Sequence, residues 1–338
     1  MKSTHIPVVV VGGGPTGLCL ALCLRQQGVE CMVLEKNEHP TQHSRSIGIH
    51  PPSLQLFEKL GIVKSFLNQG IKIRKGHAYL GSSYIGSIEF SSLPAPYQYV
   101  LSIPQSKTEI ILEQACRKVD KSLVRRSVEC NSFNQTNHGI QLTIKNEKGE
   151  AEDITCEYLV GCDGKRSVVR EWAEIAFEGS HYPDTYIMGD FEDTTPFGDD
   201  AMITLHQEGL VECFPLGDGQ RRWVVKTKTY RQNPSAEEIK AHIYKRTGFD
   251  LGDSTPTMCS SFGVQHYLAK TFAKDRVLLA GDAAHVISPI GGQGMNLGWL
   301  DGVSLADSLK TSLSTKNDAS LRSYAHRQRL IALQAGKR

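Results

Sequence analysis

The spacing of apolar and polar positions changes along the chain, and each change marks an element. Val8 to Val11 form an unbroken β-branched run, the pattern of a strand buried on both faces. From Thr16 to Gln27 the residues Leu18, Ala21, Leu22 and Leu24 fall at helical spacing, and Gly28 suits a helix stop. Glu30 to Lys36 reads as a second strand. Strand, turn, helix and strand within about 30 residues make a βαβ unit.

Beyond it, Pro51 and Pro52 open a short helix with Leu54, Phe57 and Leu60 inward and Gly61 closing it. Residues 73–103 read as short antiparallel strands. Residues 104–119 form an amphipathic helix whose inward face carries Ile110, Ile111, Gln114, Ala115 and Val119. Strands return over 139–164, with a turn at Lys148-Gly149. Strand signals dominate 175–262, apart from a helix near Ala236 to Arg246. A strand then a loop occupies 276–285, and helices fill the remainder. A βαβ opening, a β-rich insertion and a return to α/β predict a first domain completed from distant segments. Its expected pieces are 1–72, 104–174 and 263–315, with a β-rich second domain at 73–103 and 175–262 and a C-terminal helix at 316–338.

With 338 residues there is room for a large core and a buried ligand. A 40% hydrophobic, 22% charged composition is that of a globular chain, and a net charge of +2 argues against a general nucleic-acid binder. The nine cysteines are scattered with no CxxC pair, which points away from zinc and from a disulfide framework, so no metal is expected. Cys19 and Cys23 are read as packing residues, and a reducing cytoplasm is expected. The apolar stretch from Ile6 to Leu24 is interrupted by "GGGPTG", which favours two short elements over a signal peptide or a membrane span.

The interrupting turn spells Gly12-x-Gly14-x-x-Gly17, and Glu35 stands at the end of the second strand. A diphosphate needs backbone N–H groups at close range, so side chains must be absent there. The helix N-terminus adds partial positive charge, and a carboxylate at the next strand end accepts from ribose hydroxyls. Pro15 and Thr16 open the helix, and Lys36 follows the carboxylate. The pattern predicts dinucleotide binding.

Two further motifs follow in order. "DGKRSVVR" supplies Asp163, Gly164, Ser167 and Arg170; "GD" at Gly281-Asp282 is followed by "PIGGQGMN". With the glycine turn and Glu35, these resemble the FAD-dependent aromatic hydroxylases, single-component flavoprotein monooxygenases with the para-hydroxybenzoate hydroxylase type of fold. Arg45 ahead of a short helix and Gln105 at the start of another add weaker matches. The resemblance runs to about residue 330. It implies an α/β fold: a Rossmann-like FAD-binding domain interleaved with a β-sheet-rich substrate domain, plus C-terminal helices. It also implies non-covalent FAD, NADPH or NADH as transient reductant, and O2. On this resemblance Asp282 bonds the ribityl hydroxyls. Gly291, Gly292 and Gly294, with Met295 and Asn296, bring backbone to the flavin ring, Pro289 and Gly291 lying on its oxygen face. The "DGKRSVVR" motif is implied to span the sites of the FAD diphosphate and the nicotinamide, Asp163 bonding backbone or ribose groups and Arg170 orienting the aspartate or meeting phosphate. The reaction implied is hydroxylation of a phenolic or polycyclic ring through a flavin C4a-hydroperoxide.

The substrate is expected between the flavin and the β-rich insertion, with Tyr186, Met202, Phe214 and Pro215 as cavity candidates. No side-chain base is assigned; His206, alone on a strand, reads as structural. Many members of the family continue further, so this chain is read as a compact or shortened member. The final helix is expected to pack on the FAD domain rather than on a membrane, and the chain to be a monomer or homodimer. Two other classes fit the same residues: an isoprenoid reductase or epoxidase, needing a long apolar tunnel, and a flavin-binding protein without catalysis.

Overall fold

A computed structural model of the chain describes residues 4–40, 46–93, 95–136, 139–289 and 291–336. Its first half runs β1 (Thr4–Val11), α1 (Pro15–Gln26), β2 (Cys31–Glu35), β3 (Gly48–Ile49), α2 (Pro51–Lys59), α3 (Val63–Leu67), β4 (Ile71–Ile73), β5 (Lys75–Leu80), β6 (Ser83–Glu89), β7 (Val100–Ser102), α4 (Gln105–Val119), β8 (Val124–Arg126), β9 (Glu129–Thr136), β10 (Gly139–Lys145), β11 (Ala151–Gly161) and α5 (Val168–Trp172). The second half runs β12 (Phe177–Glu192), β13 (Ala201–Leu205), β14 (Val211–Pro215), β15 (Gln220–Thr227), α6 (Ala236–Thr247), β16 (Met258–Ala269), β17 (Ala273–Lys274), β18 (Val277–Leu279), β19 (His285–Val286), α7 (Gln293–Thr315) and α8 (Ala319–Ala335).

The chain divides into two compact units. The first joins Met1–Gln42, Gln105–Ser180 and His266–Arg338. Its parallel core runs β18-β11-β1-β2-β8, and β17, β9 and β10 add antiparallel strands. Val8, Val9 and Val10 are fully buried, as a β-branched run between two parallel neighbours must be. Helix α7 packs on α1 at close range because Gly298 and Gly302 offer no side chain. A Cβ on Gly298 would lie 2.4 Å from the Thr16 hydroxyl, and one on Gly302 3.4 Å from the Leu20 backbone.

The buried side of α4 differs from the face read off its sequence. Thr108, Ile111, Leu112, Ala115 and Cys116 are buried, whereas Ile110 and Val119 are exposed. Ile110 and Ile111 are adjacent, so one must face outward. Glu113 also lies inward, where Arg126 and Arg117 at 2.7 and 2.8 Å neutralise it and hold its carboxyl below the ordinary range against the opposing effect of burial.

The second unit comprises His43–Pro104 and His181–Gln265. Its main sheet runs β16-β12-β15-β14-β13-β5-β6. Helix α6 covers one face, over a core of Ile187, Phe191, Met202, Cys213, Trp223 and Val225 with Ile239 and Ile243. A small sheet, β3-β7-β4, explains why residues 43–72 group here rather than with the first unit: Gly48 pairs with Ser102 and Ile71 with the same residue. The α8 helix groups with the first unit.

Candidate functional site

The parallel sheet brings the sequence motifs to one edge. Gly12 follows β1, Glu35 ends β2, and Asp163 and Gly281 each lie two residues past the ends of β11 and β18. These four strands are neighbours in the order β18-β11-β1-β2, so the motifs share the carboxyl edge. That edge, where chain order reverses on either side of β1, is where open parallel sheets take ligands.

Gly12 holds φ at +108°, and a Cβ there would lie 2.3 Å from the Cys162 carbonyl oxygen. Only glycine lets β1 turn this close to the end of β11. Its N–H donates to the Leu34 carbonyl at 2.8 Å. Gly14 is the N-cap of α1, in extended conformation, without a side-chain cap and with nothing within 4 Å of a Cβ position. Pro15 then starts the helix, so its first-turn N–H groups have no side-chain cap. Glu35 accepts from the Gly13 N–H at 2.7 Å and from the Asn37 backbone and side chain at 2.8 and 2.7 Å. Gly13, an unspecified position of the motif, is therefore tied as closely as the glycines the motif names: a Cβ there would lie 2.9 Å from the Glu35 Cβ.

Asp163 Oδ2 accepts from the Val168 and Val169 N–H groups at 2.8 and 3.2 Å, while its buried Oδ1 has no partner among the described residues. Burial pushes its carboxyl above the ordinary range, only partly offset by the Ser167 hydroxyl and the backbone donors. The folded chain thus favours the protonated form relative to the unfolded chain. The associated stability is present below the ordinary carboxylate value of about 3.9 and is lost as pH rises through the raised one. Flavin-free Asp163→Asn protein is therefore expected to gain stability relative to the unsubstituted chain as pH rises from about 4 to neutrality. A difference in denaturation midpoints that stays constant with pH would contradict the role of burial.

Arg170 does not hydrogen-bond Asp163. Its guanidinium donates to the carbonyls of Ala283 at 2.9 Å and Lys165 at 3.0 Å and lies 3.8 Å over the Phe177 ring. It braces one motif against another.

The Gly281 corner meets the glycine turn at Thr16, since Cβ atoms built on Gly281 and Gly298 would lie 2.6 and 2.4 Å from that hydroxyl oxygen. Trp299 donates from its indole to the Pro15 carbonyl at 3.1 Å. Asp282 projects from this corner with no hydrogen-bond donor within reach among the described residues. Its side chain is exposed, while the protein around it raises its carboxyl pKa by desolvation, against the pull of His285 and Lys165. Beneath the corner, Asp301 Oδ2 accepts from the Gly281 N–H at 3.0 Å and bonds His285 Nε2 at 2.5 Å, with His285 and Asp301 1% and 0% exposed.

Downstream, Pro289 and Gly291 are exposed, and Gly291 and Gly292 both hold positive φ. Gly292 caps α7 without a side chain, its N–H donating to the Pro289 carbonyl at 2.9 Å and its own carbonyl accepting from Asn296 Nδ2 at 2.8 Å. Gly294 and Met295 lie half-buried in the first turn. Elsewhere in the first unit, Gln105 donates to Glu109 at 2.8 Å, and Lys36 is exposed. Arg45 lies outside the described residues.

The four cavity candidates in the second unit divide. Tyr186 and Phe214 share one sheet face with Met188, Val224, Val264 and Phe262, and the Tyr186 and Phe262 rings stack at 5.1 Å. Met202 lies in the core beneath α6, and alternation puts Pro215 on that same side. Glu212, two residues before Phe214 and on its face, was not singled out from sequence. Burial raises its carboxyl pKa. His285 and Asp301 were also missed; the available signal was one acidic residue amid Leu297, Trp299 and Leu305 on α7.

A diphosphate-linked flavin nucleotide fits these residues. In the first unit the N-termini of α1 and α7 lack side-chain caps, the exposed Asp282 carboxylate has no donor among the described residues, and Asp163 Oδ1 is buried without a partner among them. Among the described residues no group of three His, Cys, Asp or Glu could hold a metal, and no helix is long and apolar enough to cross a membrane.

Residues 5–338 match the family described as "FAD binding domain". The aromatic compound monooxygenase YhjG of Bacillus subtilis (strain 168), itself described as uncharacterized, is 36% identical over 310 residues, covering 90% of this chain. The chain spans only 61% of that relative's length. Dialkyldecalin synthase of Streptomyces rugosporus is 32% identical over 334 residues, covering 96% of this chain and 69% of its own. The crystal structure of p-nitrophenol 4-monooxygenase PnpA from Pseudomonas putida DLL-E4 superposes with a TM-score of 0.90 at 22% identity, over 99% of this chain and 88% of that one, which shows the shared fold.

Proposed function

The chain belongs to the FAD-binding domain family, and from that membership we propose that it carries the flavin of an NAD(P)H- and O2-dependent monooxygenase acting on an aromatic small molecule. The observation that supports this best is the meeting of Gly12, Asp163 and the Gly281-Asp282 corner at one edge of one sheet. When bound, FAD supplies hydride acceptance from the nicotinamide and activation of dioxygen.

The chain's residues supply position. The uncapped N-terminus of α1 takes the diphosphate, Glu35 the adenosine ribose, and Asp282 the ribityl hydroxyls. The N-terminus of α7 and the glycines 291, 292 and 294 offer backbone N–H groups and partial positive charge, which favour an anionic ring. Pro289 and Gly291 form the oxygen-facing side. In the second unit, the face carrying Tyr186, Phe214 and Phe262 suits an aromatic ring, and Glu212, with its raised pKa, suits acceptance of a phenolic proton. Free, mostly buried cysteines and the need for reduced nicotinamide fit a cytoplasmic setting.

The test begins with identification of the flavin released on denaturation. It continues with consumption of NADPH, NADH and dioxygen over a panel of phenols and polycyclic aromatics. A substrate-stimulated rate and a product heavier by one oxygen atom are expected. The similarity to dialkyldecalin synthase favours a second reading, in which FAD is held without turnover and a bound molecule is cyclised. Retained flavin, no stimulation of NAD(P)H oxidation by any panel member and no oxygenated product would replace the first reading with the second.

A further inference from the structure

The Gly281–His285 turn is fastened at both ends by hydrogen bonds to its backbone. The Ala280 N–H donates to the Gly161 carbonyl at 3.1 Å, and the Gly281 N–H to Asp301 at 3.0 Å. The Ala284 N–H donates back to the Gly281 carbonyl at 2.8 Å, closing the turn. The Ala283 carbonyl accepts from Arg170, and the Ala284 carbonyl from the Ala269 N–H at 2.8 Å. His285 then enters β19, paired with Leu268. Asp282 is the residue whose side chain this clamp leaves free.

Within the clamp, Asp301 is unusual. A single oxygen, Oδ2, holds the start of the turn through Gly281 and its end through His285. Both side chains are essentially without solvent contact, so the pair sits where an unpaired charge would be costly. Tyr324 of α8 and Cys162 after β11 flank Asp301; Asp282 and the Phe272 ring flank His285. Asp301 lies on α7, the helix whose N-terminus follows the Pro289–Gly292 loop, so one carboxylate couples the corner to that helix.

We propose that the buried Asp301–His285 pair is a positioning device for Asp282, fixing the corner's backbone so that the free carboxylate stands ready for the ribityl chain of FAD. This rests on the reading that Asp282 holds the flavin nucleotide. Neither Asp301 nor His285 is a catalytic residue on this view; both act through Asp282.

The test is a mutant cycle on the flavin-free 338-residue chain, read by dissociation constants for FAD and for ADP and by melting of the unliganded protein. Asp301→Ala is expected to weaken FAD binding about 5- to 50-fold while changing ADP binding less than about twofold, because ADP engages only the glycine turn and Glu35. Asp301→Asn, which keeps an oxygen for the Gly281 N–H, should recover most of the loss. In an Asp282→Ala background, Asp301→Ala should add less than about twofold, since the residue it acts through is gone. An equal FAD loss in both backgrounds, a parallel loss of ADP binding, or no loss would each overturn the proposal. Should Asp301→Ala fail to fold, His285→Ala completes the same cycle. FAD binding unchanged by Asp282→Ala alone would instead overturn the underlying reading of the corner, and the positioning role with it.

Discussion

Alanine at Gly12 is expected to lower the stability of the flavin-free chain by roughly 3–5 kcal/mol and to yield purified protein without flavin. Two costs combine. A residue with a Cβ is strained at φ +108°, and that Cβ would meet the Cys162 carbonyl oxygen at 2.3 Å. The second cost cannot be relieved by a rotamer change, since the obstacle is backbone, the segment that leaves the neighbouring strand β11. Gly28 provides the comparison. It too has positive φ, +78°, but nothing lies within 4 Å of its Cβ position. Gly28→Ala should therefore cost only about 1–2 kcal/mol and keep its flavin. Chemical denaturation of both variants, with flavin absorbance per protein, separates strain from collision. Equal losses at the two positions would show that the approach of β1 to β11 is looser than described.

Removing the Asp282 carboxylate should weaken FAD binding about 10- to 150-fold, the value of charge-assisted hydrogen bonds worth roughly 1.5–3 kcal/mol. The side chain has no hydrogen-bond donor within reach among the described residues, so its loss should leave the unliganded fold nearly untouched. Unchanged melting of the flavin-free protein together with weakened FAD binding, measured by flavin fluorescence, is the expected pairing. Unchanged flavin affinity would contradict the assigned role.

How legible each feature was depended on the range of the interaction behind it. The βαβ unit could be read because its signals are local: a β-branched run, helical spacing from Leu18 to Leu24, and glycines where side chains are excluded. The inward face of α4 was misplaced because adjacent isoleucines at 110 and 111 support two helical stripes, and only the packed neighbours choose between them. Residues 43–72 resemble a continuation of the opening domain until β3 and β4 are seen to pair with β7, a partnership that periodicity does not encode. Met202 and Phe214 were placed together because both are apolar and on nearby strands; the pleat sends them to opposite faces. Arg170 was expected to serve phosphate or the aspartate, yet its guanidinium is committed to two carbonyls and a ring. Asp301 was passed over for a related reason. An acidic residue on a long helix reads as a solvated charge until the histidine 16 positions earlier is found against it.

The pairing of β1 also bears on how the chain is made. One edge of that strand is satisfied early by β2, but the other waits for β11, with His5 opposite Thr155, 150 residues downstream. At a translation rate of about 5–20 residues per second, that edge stays bare on the ribosome for about 8–30 s. The nascent βαβ unit thus carries an unpaired strand edge through that interval, open to mispairing or to chaperone capture.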